Sequence, residues 1–467
     1  MERWLKRWGW AVLLLAAGAA LRVAFMRSRV ELSGDALMYG DLARNMLLHH
    51  VYGLTESWGI RPTLIRLPGY PAFLAACFAV FGVGNYVAAM WVQVVADLVA
   101  CGLLGGLAAR LWGRRVGLVA LGLGMLCPFT ANYCATPLTE TLVIFCVALT
   151  LFAMERWTAG ARAGRVWNWW MAVVGLALVY GIFLRPDQGL LAVVIVAAMV
   201  WVGWRESRGR GILPVGVMCV AMAMPFLLWG VRNWRVFHVV QPLAPRYAID
   251  PSEWNPYGFQ RWYRTWAVDF NATMNVYWNY GAAPMAMGDL PKRAIDNPMQ
   301  RAETERLYVE YNQTETPTRA NDAGFAKLAE ERIAARPLRY YVWVPALKVA
   351  DMWLRPRTAL LELPLDWWRF REHERGSWEC LGLVVWNAAY LVLAGLGVWK
   401  WRRGDRALAW AMIAYVVLRC LLLWTIDNSE PRYTLECFPM LILWGAYAVG
   451  RWLDSDAAKI PSGAKAP

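Results

Sequence analysis

The chain has 467 residues, 58% of them hydrophobic and only 18% charged, with a mean hydropathy of +0.32. Repeated apolar runs of about 20 residues exclude a string of soluble domains and give an all-α polytopic membrane protein. Its formal charge of +14 lies mostly in short hydrophilic breaks with no basic-aromatic stripe, so topology explains much of the excess and no nucleic-acid partner is expected.

The 30 Trp fit rings that settle at membrane-water interfaces. Nine Cys are scattered mostly through apolar runs, none in a C-x-x-C pair, which argues against a disulfide framework or a Cys-based metal site. The predicted spans are 8–26, 86–109, 116–131, 138–155, 168–184, 188–204, 212–231, 380–399, 407–426 and 434–452. The first has no convincing cleavage site after it and reads as a retained helix. Every second break is basic: Arg3, Lys6 and Arg7, then Arg110, Arg114 and Arg115, then Arg156, Arg162 and Arg165. Arg205, Arg208 and Arg210 follow, and finally Lys400, Arg402, Arg403 and Arg406. The alternate short breaks hold only Arg185 and Arg432. The positive-inside rule then predicts a plasma-membrane protein with ten spans and both termini cytoplasmic.

Two apolar stretches are too short to cross comfortably. Residues 70–83 are predicted to form an interfacial or re-entrant helix, and 340–354, with Lys348 and Asp351, to lie along the outer surface. The alternative is that both cross. The chain divides into a transmembrane module at 1–231 with its first outer loop at 27–85, and an extracytoplasmic loop region at 232–379. Transmembrane helices at 380–453 and a cytoplasmic tail at 454–467 complete it. Within the loop region, Thr318 is expected to cap a helix with Phe325, Leu328 and Ile333 on its apolar stripe, stopped by Pro337.

Almost all residues with chemical potential fall on the outward side. Asp35, Tyr39, Asp41, Arg44, His49, His50, Arg61 and Arg66 are in the first outer loop, and Glu140 begins the fourth span. Arg185-Pro186-Asp187, Arg232-Asn233 and Glu430-Pro431-Arg432-Tyr433 occupy later outer breaks. Acids and Arg on one face fit an anionic substrate, with Asp taking a proton and Arg neutralising phosphate. Plainer readings stand beside these. Glu140 also reads as an acid favoured at a helix N-terminus, and Arg185-Pro186 as a loop stop. Arg432 has Asp427 and Glu430 as candidate ion-pair partners, Asp41 reads as helix-surface charge, and His49-His50 as solvated loop. No metal cluster is visible, and no cofactor or divalent metal is expected.

The motifs Gly34-Asp35-Ala36-Leu37-Met38-Tyr39, Arg66-Leu67-Pro68-Gly69-Tyr70-Pro71 and Leu138-Thr139-Glu140 run in a recognisable order. So do Leu184-Arg185-Pro186, Trp229-Gly230-Val231-Arg232-Asn233 and Pro431-Arg432-Tyr433. Together they resemble the GT-C membrane glycosyltransferases, whose relatives include the protein O-mannosyltransferases and the transferase that adds aminoarabinose to lipid A. The resemblance implies a GT-C-type bundle of about ten transmembrane helices with an outward-facing loop domain. It implies transfer of a sugar from a polyprenyl-phosphate donor, among membrane lipids, to a glycan, lipid or protein acceptor on the extracytoplasmic side. It also implies Asp35 as catalytic base, Glu140 as an acid shaping the site, and Arg66 as the contact to donor phosphate. Tyr39, Tyr70, Arg185, Arg232, Asn233, Arg432 and Tyr433 are then candidate substrate-binding residues. The protein mannosyltransferases carry two adjacent acids at the first motif, whereas Ala36 follows Asp35 here. Competing readings are a lipid-linked glycan ligase or polymerase, a glycolipid transporter or flippase, and a non-catalytic assembly subunit. A transporter places ionisable groups near the midplane, where Asp97 is the clearest.

Overall fold

The computed structural model describes residues 2–28, 32, 34–251, 253–401 and 406–457. Arg402 and Arg403, residues 458–467 of the expected tail, and the side chains of Arg3, Lys6 and Arg7 lie outside the described residues. The chain forms two compact units: Met1–Pro251 with Ala389–Val416 and Leu435–Pro467, and Ser252–Ala388 with Val417–Thr434.

The first unit opens with α1 (Glu2–Arg27) and α2 (Asp35–His49), then a small antiparallel hairpin of β1 (Gly53–Glu56) and β2 (Gly59–Pro62). It continues through α3 (Gly69–Phe81), α4 (Tyr86–Trp112), α5 (Arg114–Met125), α6 (Pro128–Tyr133) and α7 (Glu140–Arg162). Next come α8 (Trp170–Leu184), α9 (Gly189–Arg205) and α10 (Ile212–Phe237). The hairpin was not foreseen. It exists because Asp41, expected as surface charge, accepts from the Thr55 backbone N–H at 2.6 Å and the Thr55 hydroxyl at 2.8 Å, tying β1 to α2.

The expected span 116–131 is not one helix. Pro128 disfavours helical geometry at Cys127, so α5 ends at Met125 and α6 starts afresh at Pro128. Among the described residues, seven helices are long and apolar enough to cross a membrane. The 13-residue α3 is short, as its sequence predicts.

Asp97 on α4 is fully buried and meets Arg22 on α1, whose Nε donates to Asp97 Oδ2 at 2.7 Å. The same guanidinium donates to the carbonyls of Gly18 at 2.9 Å and Met125 at 2.8 Å, so one cation pins α1, α4 and the end of α5 together. A buried charge held this way is a structural pin.

The second unit is built on α11 (Tyr257–Tyr263), the single turn α12 (Phe270–Ala272), α13 (Pro298–Asn312), α14 (Arg319–Ala335) and α15 (Val344–Leu354). Its core is aromatic: Phe259 stacks on Tyr280 at 3.7 Å, and Trp262 packs on Phe325 at 4.9 Å. Thr318 caps α14 by accepting from the Asn321 N–H at 3.1 Å. Arg332, buried in this unit, donates to Thr265 at 2.8 Å, Gln300 at 2.9 Å and the Arg293 carbonyl at 2.9 Å. The helices α16 (Glu374–Lys400) and α17 (Arg406–Thr425) contribute residues to both units, and α18 (Phe438–Ala457) follows a 3-10 segment at Pro431–Cys437.

Candidate active site

Asp35 is the first residue of α2, and the turn before it needs glycine: Gly34 has φ +53°, in the region that side chains disfavour. The carboxylate sits at a helix N-terminus, where the peptide dipoles favour negative charge. It accepts from Arg66 Nη2 at 2.8 Å, with Asp35 28% and Arg66 26% exposed. Both groups remain within reach of a substrate.

The segment leading to Arg66 is clamped from two sides. Asp250, which the sequence reading missed, is buried and accepts from Arg61 at 2.7 Å, the Thr63 hydroxyl at 2.8 Å and the Leu64 N–H at 2.9 Å. Arg232 donates to the carbonyls of Thr63 at 2.8 Å and Tyr52 at 2.7 Å, and its guanidinium lies 5.0 Å from the Trp229 ring. The Tyr52 hydroxyl then donates to the Arg66 carbonyl at 3.0 Å. Asn233 is buried and donates to the Gln241 carbonyl at 2.7 Å. Arg232 therefore holds the loop that presents Arg66, and Asn233 accepts from Arg232 at 3.0 Å. After Arg66, a Cβ on Gly69 would fall 2.5 Å from the Phe183 carbonyl carbon, so the Pro68-Gly69 corner seats directly on the end of α8.

Tyr39 and Tyr70 meet edge to face at 5.0 Å, both buried. The Tyr70 hydroxyl donates to Gln93 at 2.6 Å, which fixes α3 to α4. Burial pushes the Tyr39 phenol up to about 12, with Arg66 pulling it down and Asp35 and Glu140 pushing it up. Tyr39 therefore feels the Asp35–Arg66 pair and also the Glu140–Arg185 group.

That second group surrounds one guanidinium with three carboxylates. Arg185, just after α8, lies 3.4 Å from Glu140, 3.0 Å from Asp187 and 2.9 Å from Glu436. Burial works against the Arg185 charge, but Asp187, Glu436 and Glu140 together hold it firmly protonated. Glu140 and Glu436 are almost fully buried, whereas Arg185 keeps 15% of its side chain exposed. Gln188 hydrogen-bonds Glu436, and the Tyr415 hydroxyl reaches the same carboxylate at 3.3 Å. Glu436 was not foreseen. Its signal was present, an acid inside the apolar run Leu435-Glu436-Cys437-Phe438.

Arg432 and Tyr433 belong to the second unit. There Glu430 pairs with Arg432 and accepts from the Tyr433 hydroxyl at 2.6 Å, and Asp427 faces Arg264 at 3.4 Å. Among the described residues, Asp366, Glu372 and His373 have donor atoms within 4.8 Å of one another. Arg369 already bonds both acids, at 3.3 and 3.1 Å, which offsets the charge a cation would need.

Residues 62–229 match the family model described as dolichyl-phosphate-mannose-protein mannosyltransferase. That segment carries Arg66, Tyr70, Glu140 and Arg185 and stops short of Asp35 and Arg232. The fold is similar to that of the oligosaccharyltransferase AglB from Archaeoglobus fulgidus, solved with an inhibitory peptide and a dolichol-phosphate. The match has a TM-score of 0.50 at 12% identity, over 99% of this chain and 53% of that one. The chain has a GT-C-type helical membrane fold. An Archaeoglobus fulgidus oligosaccharyltransferase in the apo form gives a TM-score of 0.50 at 13% identity, over 99% and 53% of the two chains. ArnT from Cupriavidus metallidurans, solved with undecaprenyl phosphate, aligns with a TM-score of 0.38 at 16% identity, over 97% and 79%. The chain spans about half the length of the archaeal enzyme. No curated protein matches it in sequence.

Proposed function

We propose that the protein transfers a sugar from a polyprenyl-phosphate donor to an acceptor hydroxyl on the extracytoplasmic side of the membrane, with Asp35 as general base. The observation that carries this reading is the Asp35–Arg66 pair, 2.8 Å long and about a quarter exposed. An ion pair this accessible is worth roughly 1 kcal/mol or less, so a donor phosphate takes Arg66 from Asp35 at little cost. The released carboxylate then accepts the proton of the acceptor hydroxyl. The acceptor oxygen attacks the anomeric carbon from the face opposite the phosphate. The carbon-phosphate oxygen bond breaks, and its electron pair leaves on the polyprenyl phosphate, whose growing charge Arg66 stabilises. One base and one displacement invert the anomeric centre.

In this reading Arg185, held by Glu140, Asp187 and Glu436, is a second cation facing the substrate. Tyr39, between the two charge groups, lines the floor. Arg232, Asn233 and Tyr70 act by positioning. The basic breaks support cytoplasmic termini and an outward-facing site. The reaction as written calls for no cofactor. The deciding experiment incubates the purified protein with a panel of polyprenyl-phosphate sugars and follows release of free polyprenyl phosphate. Release from one donor, lost in Asp35→Asn, supports the reading; no release from any donor, with acceptor lipids, glycans and peptides supplied, removes it.

A further inference from the structure

The opposite end of the first unit carries an apolar groove that the transfer reaction does not use. It lies between α9 and the start of α17 and encloses about 330 Å³. Its floor is made by small side chains, among them Ala197, Ala198, Ala411 and Ala414, and its walls by Trp201 and Trp410. Small residues on facing helices leave a slot the width of a hydrocarbon chain where larger side chains would close it. The volume falls at the low end of ordinary ligand pockets.

One helical turn beyond each Trp stands a cation. Residues four apart share a helix face, so Arg205 extends the stripe of Trp201 and Arg406 extends that of Trp410. Both Arg side chains are exposed, and among the described residues neither has an acidic partner. Glu206, the acid next to Arg205, is held by Arg162 instead, with one contact at 3.2 Å. Arg205 leans over the Trp204 ring at 5.5 Å, which leaves its charge available.

We infer that this groove binds an anionic phospholipid, one acyl chain lying between α9 and α17 and its phosphate held by Arg205 and Arg406. The position assigns the leaflet. The 17 residues of α9 span about 25 Å, so Arg205 lies one membrane thickness from the Arg185 end. The lipid therefore comes from the leaflet facing the basic breaks, the one read as cytoplasmic, and is distinct from a donor whose phosphate meets Arg66.

The test is native mass spectrometry of the full chain in detergent, titrated with phosphatidylglycerol and, separately, phosphatidylcholine. One phosphatidylglycerol is expected to be retained well above phosphatidylcholine. Two cations near a lipid surface contribute enough that Arg205→Gln with Arg406→Gln should weaken retention roughly thirtyfold. Ala411→Trp should abolish it by filling the slot, and the double Gln variant, which leaves the groove's packing untouched, covers the case in which the Trp variant misfolds. Equal retention of the two lipids, or unchanged retention in the double Gln variant, overturns the inference. Displacement of phosphatidylglycerol by stoichiometric undecaprenyl phosphate also overturns it, because the groove would then belong to the donor. None of these readouts depends on transferase activity.

Discussion

Asp35 and Arg66, 31 residues apart in the chain, are joined by a 2.8 Å hydrogen bond between their charged ends. Each charged end is held by the other. In the proposed reaction, donor binding separates them.

Asp35→Asn keeps the size and one acceptor of the side chain but cannot take a proton. Its turnover should fall by roughly 10²–10⁴, the usual span for loss of a general base, with donor binding retained. Released polyprenyl phosphate under single-turnover conditions measures this. A loss of only a few-fold returns Asp35 to a structural role.

Arg66→Ala should lower turnover and weaken donor binding while leaving acceptor affinity little changed. Arg66→Lys recovers part of the activity, because charge counts more here than a planar fork. Donor titration by calorimetry in the Asp35→Asn background, with and without the Arg66 change, isolates the phosphate contact. Equal donor affinities would take Arg66 out of the site.

Glu436→Gln removes one of three carboxylates from Arg185 and preserves the shape of the buried side chain. Turnover should fall about tenfold, and Glu436→Gln should add little once Arg185 is already Ala, since groups acting through one partner are not additive. Kinetics of the two single variants and the double variant give the coupling. Full additivity would show that Glu436 acts elsewhere.

The sequence carried the helices because their apolar runs are long, and it carried Asp35, Glu140 and Arg185 because charges at the ends of apolar runs stand out. It did not reveal Asp250 or Glu436, the distant partners that complete these groups. Asp250 clamps Leu64 from 186 residues away, and Glu436 meets Gln188 from 248 away. Neither separation leaves a periodic trace. Arg232 and Asn233 stood out as a motif, yet their hydrogen bonds go to backbone carbonyls of the loop and the 241 region. A motif marks residues that a fold needs, and only geometry separates those that touch substrate from those that hold the ones that do. The hairpin was missed because its four-residue strands, Gly53–Glu56 and Gly59–Pro62, are set by Asp41 binding Thr55 more than by alternation.

Gly69→Ala should damage the site without touching a charge. The added Cβ would lie 2.5 Å from one backbone carbon of Phe183 and 2.6 Å from its oxygen, and backbone cannot rotate aside. α3 or the end of α8 must shift, moving Arg66 or Arg185 by a fraction of an ångström, enough to cost up to about 10² in rate. Turnover should fall at least tenfold while the unfolding midpoint of the full chain drops by only a few degrees. Wild-type turnover would show that the corner is free to adjust.

Asp351 gives the second unit a pH dependence. Its Oδ2 accepts from the Phe270 N–H at 3.1 Å and the Ser429 hydroxyl at 3.0 Å, with Arg355 at 3.7 Å from the other oxygen. Burial pushes this carboxyl up to about 6 against the pull of Arg355, from an ordinary value of 3.8. A carboxyl that holds its proton more tightly when folded favours the folded state while it is protonated. That contribution is fully present below pH 4 and is lost as the pH rises through about 6. Asn at this position keeps an acceptor for Phe270 and Ser429 and has no charge to bury. Asp351→Asn should therefore flatten the fall in stability between pH 4 and 6 and stabilise the folded chain at pH 7 by roughly 2 kcal/mol. Thermal unfolding of both proteins in the same detergent at pH 4, 5, 6 and 7 checks this. The same slope in the variant and the wild type would mean that Asp351 is already charged throughout, held so by Arg355.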